Sequence, residues 1–173
     1  MEVKTKLRLN KKREFLKLSF LFFVMLSCFN GGLTLLSFLY DSVGLKGLGQ
    51  INIAILYGGF FLSNFFAKFF IGLFEEYRSA LALGPLSYSA IMLSGIFTYY
   101  CKIEKFTGFC SLEYVRLANY VGAFIVGFIG STLVWGCQFA FINKITNKKD
   151  KQWSFSMFYQ IIQFNNVCGN LVN

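Results

Sequence analysis

Gln160, Gln163, Asn166 and Asn170 stand three, three and four residues apart in a stretch, Ser154 to Val172, that carries no charge. On an α-helix that spacing stacks four carboxamides on one stripe. Amides donate and accept hydrogen bonds but neither titrate nor attack, so their chemistry is recognition of a polar solute or of other amides. Asn30 and Gln138, each inside another long apolar stretch, are the natural counterparts. Two arrangements fit: the stripe lines a hydrated cavity, or it meets amides on neighbouring helices. A buried polar group without a partner costs several kcal/mol, whereas polar contacts between membrane helices average about 0.6 kcal/mol. The stripe needs partners and adds little stability itself.

Other chemistries are poorly supplied. The chain has no histidine, the commonest general base and metal ligand. Glu75 and Glu76 are adjacent, so on a helix they diverge, and no nucleophile stands beside a base. The five cysteines, at 28, 101, 110, 137 and 168, have no C-x-x-C spacing, which argues against zinc. No enzymatic activity, cofactor or metal site is expected. Cys101 and Cys110 share one loop; a disulfide there is open in an oxidising lumen, and two free thiols is the simpler assignment.

The elements that carry these residues are apolar. With 55% hydrophobic and 14% charged residues and a mean hydropathy of +0.54, the chain exceeds what a water-facing surface holds. A bilayer crossing takes about 20 apolar residues. Five such stretches follow one another, at 18–40, 50–74, 80–100, 117–142 and 154–172, so the sequence predicts an all-α, polytopic transmembrane bundle over residues 18–173. Residues 1–17 form a basic amino-terminal segment with seven Lys or Arg. The first apolar stretch is too long for a signal-peptide core, and no compact small-residue cleavage site follows it, so it is expected to be retained. Pro85 is expected in the first turns of the third helix, where its missing N–H is tolerated.

Charge fixes the expected orientation. The amino-terminal segment, Lys68, Arg78 and the 143–153 loop hold 13 basic residues, against 4 at Lys46, Lys102, Lys105 and Arg116. Cytoplasmic loops hold the excess, so the amino terminus is expected in the cytoplasm. Setting topology already accounts for the basic residues behind the net charge of +9, without nucleic acid; binding of anionic lipid by the amino-terminal run is a further use open to it. The presumed outer loops contain no Asn-x-Ser/Thr, and no N-glycan is expected there.

Small residues recur every four positions at Gly59, Ser63 and Ala67 in the second stretch, and at Ala123, Gly127 and Ser131 in the fourth. Each set lies along one helix face and lets backbones approach closely. Sliding or rocking of these faces is one use; ordinary close packing is the simpler one.

Three blocks together resemble a known family. NGGLTLLSFL (30–39) followed by GLGQINIAILYGGFFLS (47–63) is similar to the first two helices of the uncoordinated-93-like ion channel regulatory proteins of the major facilitator superfamily. LVWGCQFAFI (133–142), with Trp135 three residues before Gln138, resembles the family's fourth-helix motif, and QFNNVCGNL (163–171) its fifth-helix run. The resemblance implies a partial amino-terminal lobe of a fold with twelve helices in two lobes of inverted three-helix repeats. It also implies that Asn30, Trp135, Gln138, Gln163, Asn166 and Asn170 belong to a polar pathway or to interhelical contacts. With five helices in hand, the expectation is an incomplete or short member. Its expected role is accessory or regulatory partner of another membrane protein; the alternative is a truncated facilitator moving a small solute or ion by alternating access. The lipid bilayer is the expected medium, and the ligand is left open.

Overall fold

The computed structural model describes residues 2–74, 77–146, 148 and 150–170, and the side-chain surroundings of 12–70, 72–74, 79–146, 148 and 150–164. Every regular element among them is helical: α1 (Glu2–Ser42), α2 (Leu48–Gly72), α3 (Tyr77–Ile103), α4 (Leu112–Ile145) and α5 (Lys151–Asn170). A chain in lipid has no water to bond its backbone, and the helix satisfies each N–H and C=O internally. Among the described residues, α1 to α4 are long and apolar enough to cross a membrane. The protein is an all-α, multi-pass integral membrane protein.

The expected fifth span exists as a helix, α5; its fully described part, residues 151–164, is too short to be counted with those four. α1 starts far ahead of the expected boundary at residue 18, because no Gly or Pro interrupts the sequence before Gly31. α3 begins at Tyr77, so Pro85 lies in the helix interior and not in its first turns. There it withholds the N–H that the Leu81 carbonyl would otherwise receive.

The turns after α1 and α3 are built by the same device. At the end of α1, Leu45 N–H bonds the Tyr40 carbonyl (2.8 Å), Gly44 N–H bonds that of Asp41 (3.1 Å), and Gly44 sits at φ +82°. This is the Schellman arrangement, which favours glycine at the left-handed position. α3 ends likewise, with Phe106 N–H on the Cys101 carbonyl (2.9 Å) and Lys105 N–H on that of Lys102 (3.0 Å). Here Lys105 itself takes φ +56° and Phe106 +55°, uncommon for residues with a Cβ. The reversal brings Cys110 back to Cys101, and the two form a disulfide with Cα atoms 4.9 Å apart. The simpler assignment of two free thiols does not hold, because the turn and not the sequence spacing sets the approach.

The chain forms two compact units, Met1–Gly31 with Phe139–Asn173, and Gly32–Gln138. In the first, Phe15, Leu18, Ser19, Phe22 and Leu26 form a buried face of α1, and Ser154, Phe158 and Ile162 one of α5. Phe22 meets Phe158 edge-on at 5.3 Å between ring centroids, and Phe15 meets Trp153 at 6.4 Å. Phe139 adds contacts to Phe155 and Tyr159.

In the second unit α4 packs against both α2 and α3. In its most apolar stretch 61% of residues are buried, against 17% for α2, so α4 is the inner helix. The small-residue faces do meet. A Cβ at Gly127 would run into the Leu56 carbonyl oxygen, and one at Gly59 would lie 3.1 Å from the Phe128 nitrogen. Ser63, Ala123 and Ser131 are buried on the same faces, and Ala67 half-buried beyond them. On its other side α4 abuts α3, where a Cβ at Gly122 would come within 3.1 Å of the Ala90 carbonyl. The middle of α4 is not α-helical: Val126–Gly130 and Thr132–Gly136 are π turns.

Replacing Gly127 by Val should cost about 2 kcal/mol, since the obstruction is backbone that cannot rotate away. Gly58→Val, one residue from Gly59 and with nothing within 4 Å, should be near neutral. Thermal unfolding of the two variants in mild detergent checks the contrast.

Candidate functional site

The most organised polar group lies in the second unit. Tyr40 on α1, Asn52 on α2, Ser94 and Thr98 on α3, and Asn119 on α4 are all buried, Thr98 and Asn119 completely. Each sits toward the turn that joins α1 to α2 or α3 to α4: Tyr40 two residues before the end of α1, Asn52 four after the start of α2, Thr98 five before the end of α3, Asn119 seven after the start of α4. Antiparallel neighbours thus bring the five side chains to one depth, beside the Cys101–Cys110 bond.

Asn119 is the hub. Its Oδ1 accepts from the Tyr40 hydroxyl (2.5 Å) and the Ser94 hydroxyl (3.0 Å). Its Nδ2 donates to Thr98 Oγ1 (2.7 Å) and to the Val115 carbonyl (2.8 Å). One amide has therefore used both donors and both acceptor positions. Thr98 passes its own proton to the Ser94 carbonyl (2.8 Å). Ser94 has a single proton within reach of two acceptors, Asn119 Oδ1 and the Ile91 carbonyl (2.7 Å). Asn52 joins more loosely, its Nδ2 donating to the Tyr40 oxygen at 3.4 Å, while its Oδ1 has no partner among the described residues. Outside this ring, the Lys102 ammonium donates to the Ser42 carbonyl (3.2 Å), tying the ends of α1 and α3.

The cluster holds amides and hydroxyls only. Such a set orders helices and recognises hydrogen-bonding groups; it has no acid, base or nucleophile poised for covalent chemistry.

The residues expected from the sequence fall elsewhere. Gln138 is completely buried, and neither its Oε1 nor its Nε2 has a partner among the described residues. Trp135 is half-buried and its indole N–H donates to the Tyr88 hydroxyl. Asn30 is half-buried in the first unit. Gln160 and Gln163 lie on the exposed side of α5, away from its buried face at Ser154, Phe158 and Ile162. The side chains of Asn166 and Asn170 lie outside the described residues.

No family model, curated protein or solved structure matches this chain.

The cluster escaped sequence reasoning because each helix gives it only one or two members, so there is no periodic stripe to see. The available signal was depth. Single polar residues a similar distance from the same membrane face, in consecutive spans, are positioned to meet.

Asn119→Leu should destabilise the protein by about 2 kcal/mol, because it strands Tyr40, Ser94 and Thr98 in an apolar interior. Tyr40→Phe leaves the Ser94 and Thr98 bonds in place and should cost nearer 0.6 kcal/mol, the average for one such contact. Unfolding midpoints of the two variants test the ranking.

Proposed function

We propose that this protein is an accessory or regulatory subunit of another membrane protein, acting by helix contact and without enzymatic chemistry. The observation that carries the proposal is Asn64. It is exposed on a strongly apolar face of α2, among Tyr57, Phe61, Phe65 and Phe69, with Lys68 one turn on. Its Nδ2 bonds the Phe60 carbonyl (2.9 Å) of its own helix. An amide on the outward face of a span is poorly placed in lipid and well placed for a second helix. Meanwhile Asn119, the hub of the best-formed polar cluster, spends its whole hydrogen-bonding capacity inside that cluster, as suits a scaffold more than a pathway. The resemblance of the three sequence blocks to uncoordinated-93-type channel regulators supports the same role.

Purification from native membranes in mild detergent should return a second membrane protein in fixed ratio, and Asn64→Leu should weaken that association at least several-fold. Repeated recovery of the chain without a stoichiometric partner contradicts the proposal. Gln138 favours a second role, as part of a facilitator pathway, because a buried amide with neither end bonded is a place for a polar solute. A solute-dependent current in liposomes that Gln138→Ala abolishes would replace the accessory role with that one.

The proposed orientation has the amino terminus in the cytoplasm. Two independent features support it: the basic residues crowd that side, and the Cys101–Cys110 bond belongs in an oxidising compartment. With Cys28, Cys137 and Cys168 replaced, a membrane-impermeant maleimide should label Cys101 and Cys110 only after reduction, and only from the non-cytoplasmic face. Labelling from the cytoplasmic face reverses the topology.

A further inference from the structure

Two basic stretches that lie far apart in the sequence meet in the first compact unit. Phe15 of α1 packs on Trp153 of α5 and, further along both helices, Phe22 packs on Phe158, so the two helices run side by side in the same direction. The Phe15–Trp153 contact therefore sets Lys12 and Arg13, just before Phe15, beside Lys151 at the start of α5 and Lys148 in the turn that leads into it. All four are exposed, and none has an ion pair among the described residues. Two carboxylates lie near: Glu14, bonded to Lys17 at 3.2 Å, and the half-buried Asp150. This end of the unit keeps an excess of positive charge.

The same surface turns apolar within a short distance. Lys12, Leu16 and Phe20 stand four apart along α1, as do Arg13, Lys17 and Leu21, so each row follows one strip of the helix. Leu16, Phe20 and Leu21 are all more than half exposed. Each row thus passes from cation to bare hydrocarbon within about two turns. Trp153 marks the level of that change: one side of its ring lies on Phe15, and the side chain is otherwise largely exposed. Tryptophan collects where headgroups give way to acyl chains.

This combination selects among anions. A soluble polyanion or a nucleic acid would match the cations and leave Leu16, Phe20 and Leu21 uncovered. A phospholipid with a negative headgroup matches both parts, its phosphate on the cations and its chains on the apolar rows.

We propose that Lys12, Arg13, Lys148 and Lys151, with Trp153, form a binding site for an anionic phospholipid, whose headgroup lies between α1 and the start of α5 and whose chains follow Leu16 and Phe20. The junction of the two basic stretches makes the site, and the amino-terminal run alone does not. The inference is independent of the accessory role, since it depends on the first unit and the lipid around it.

Native mass spectrometry of the whole chain, released from mild detergent, tests it with phosphatidylinositol 4-phosphate as the probe. That lipid should bind about tenfold more tightly than phosphatidylcholine or the soluble headgroup glycerophosphoinositol 4-phosphate. Lys148→Gln combined with Lys151→Gln leaves the amino-terminal run intact and should weaken binding of the lipid about tenfold. Lys46→Gln combined with Arg116→Gln removes the same charge from exposed positions of the other unit and should change the affinity by less than about twofold. No loss in the first pair, or equal losses in the two pairs, overturns the proposal. Equal binding of the soluble headgroup overturns it too, and assigns the cations to a phosphate outside the membrane.

Discussion

An apolar surround offers a buried polar side chain no partner except another polar group brought to the same depth. Asn119 meets that requirement by using its whole hydrogen-bonding capacity on Tyr40, Ser94, Thr98 and the Val115 carbonyl. The rest of the second unit follows from it. The amide reaches α1 and α3, and α4 packs closely against α2 and α3 as well, a proximity that requires glycine at 59, 122 and 127. The turns after α1 and α3 must also hold their positions. Gly44 does so at the end of α1, and the Cys101–Cys110 bond does so after α3, where non-glycine residues occupy the left-handed region.

The two halves of α4 contrast. Toward its start, directional bonds and backbone contacts fix it. Further along it has two π turns, the Trp135 bond to Tyr88 and, at Gln138, a buried amide without a partner among the described residues. Directional interactions specify one geometry, whereas apolar contacts tolerate several of nearly equal energy.

Much of the fold was legible because hydropathy and length act locally. A run such as Ala80 to Tyr100 must cross or be buried whatever its neighbours are, and the four-residue recurrence of Gly59, Ser63 and Ala67 shows a packing face on its own helix. Features set by tertiary contact were not legible. The π turns at Val126–Gly130 and Thr132–Gly136 have no composition of their own. The Tyr40–Asn119 bond joins positions 79 apart in sequence. The disulfide depended on how the chain reverses at Lys105. The amide stripe of α5 was visible as a pattern, yet the pattern alone does not tell an inward from an outward face, and Gln160 and Gln163 face outward.

All of this rests on lipid being the solvent of α1 to α4. Among their outward-facing residues are Phe20, Phe38, Phe61, Phe65 and Ile96, each more than 60% exposed, an arrangement that water would not tolerate. Extraction of membranes with alkaline carbonate tests this directly, because it strips peripheral proteins and leaves integral ones. The intact protein should remain wholly in the membrane pellet; its release as a soluble species would contradict the helix assignment, the buried cluster's role and the functional proposals together.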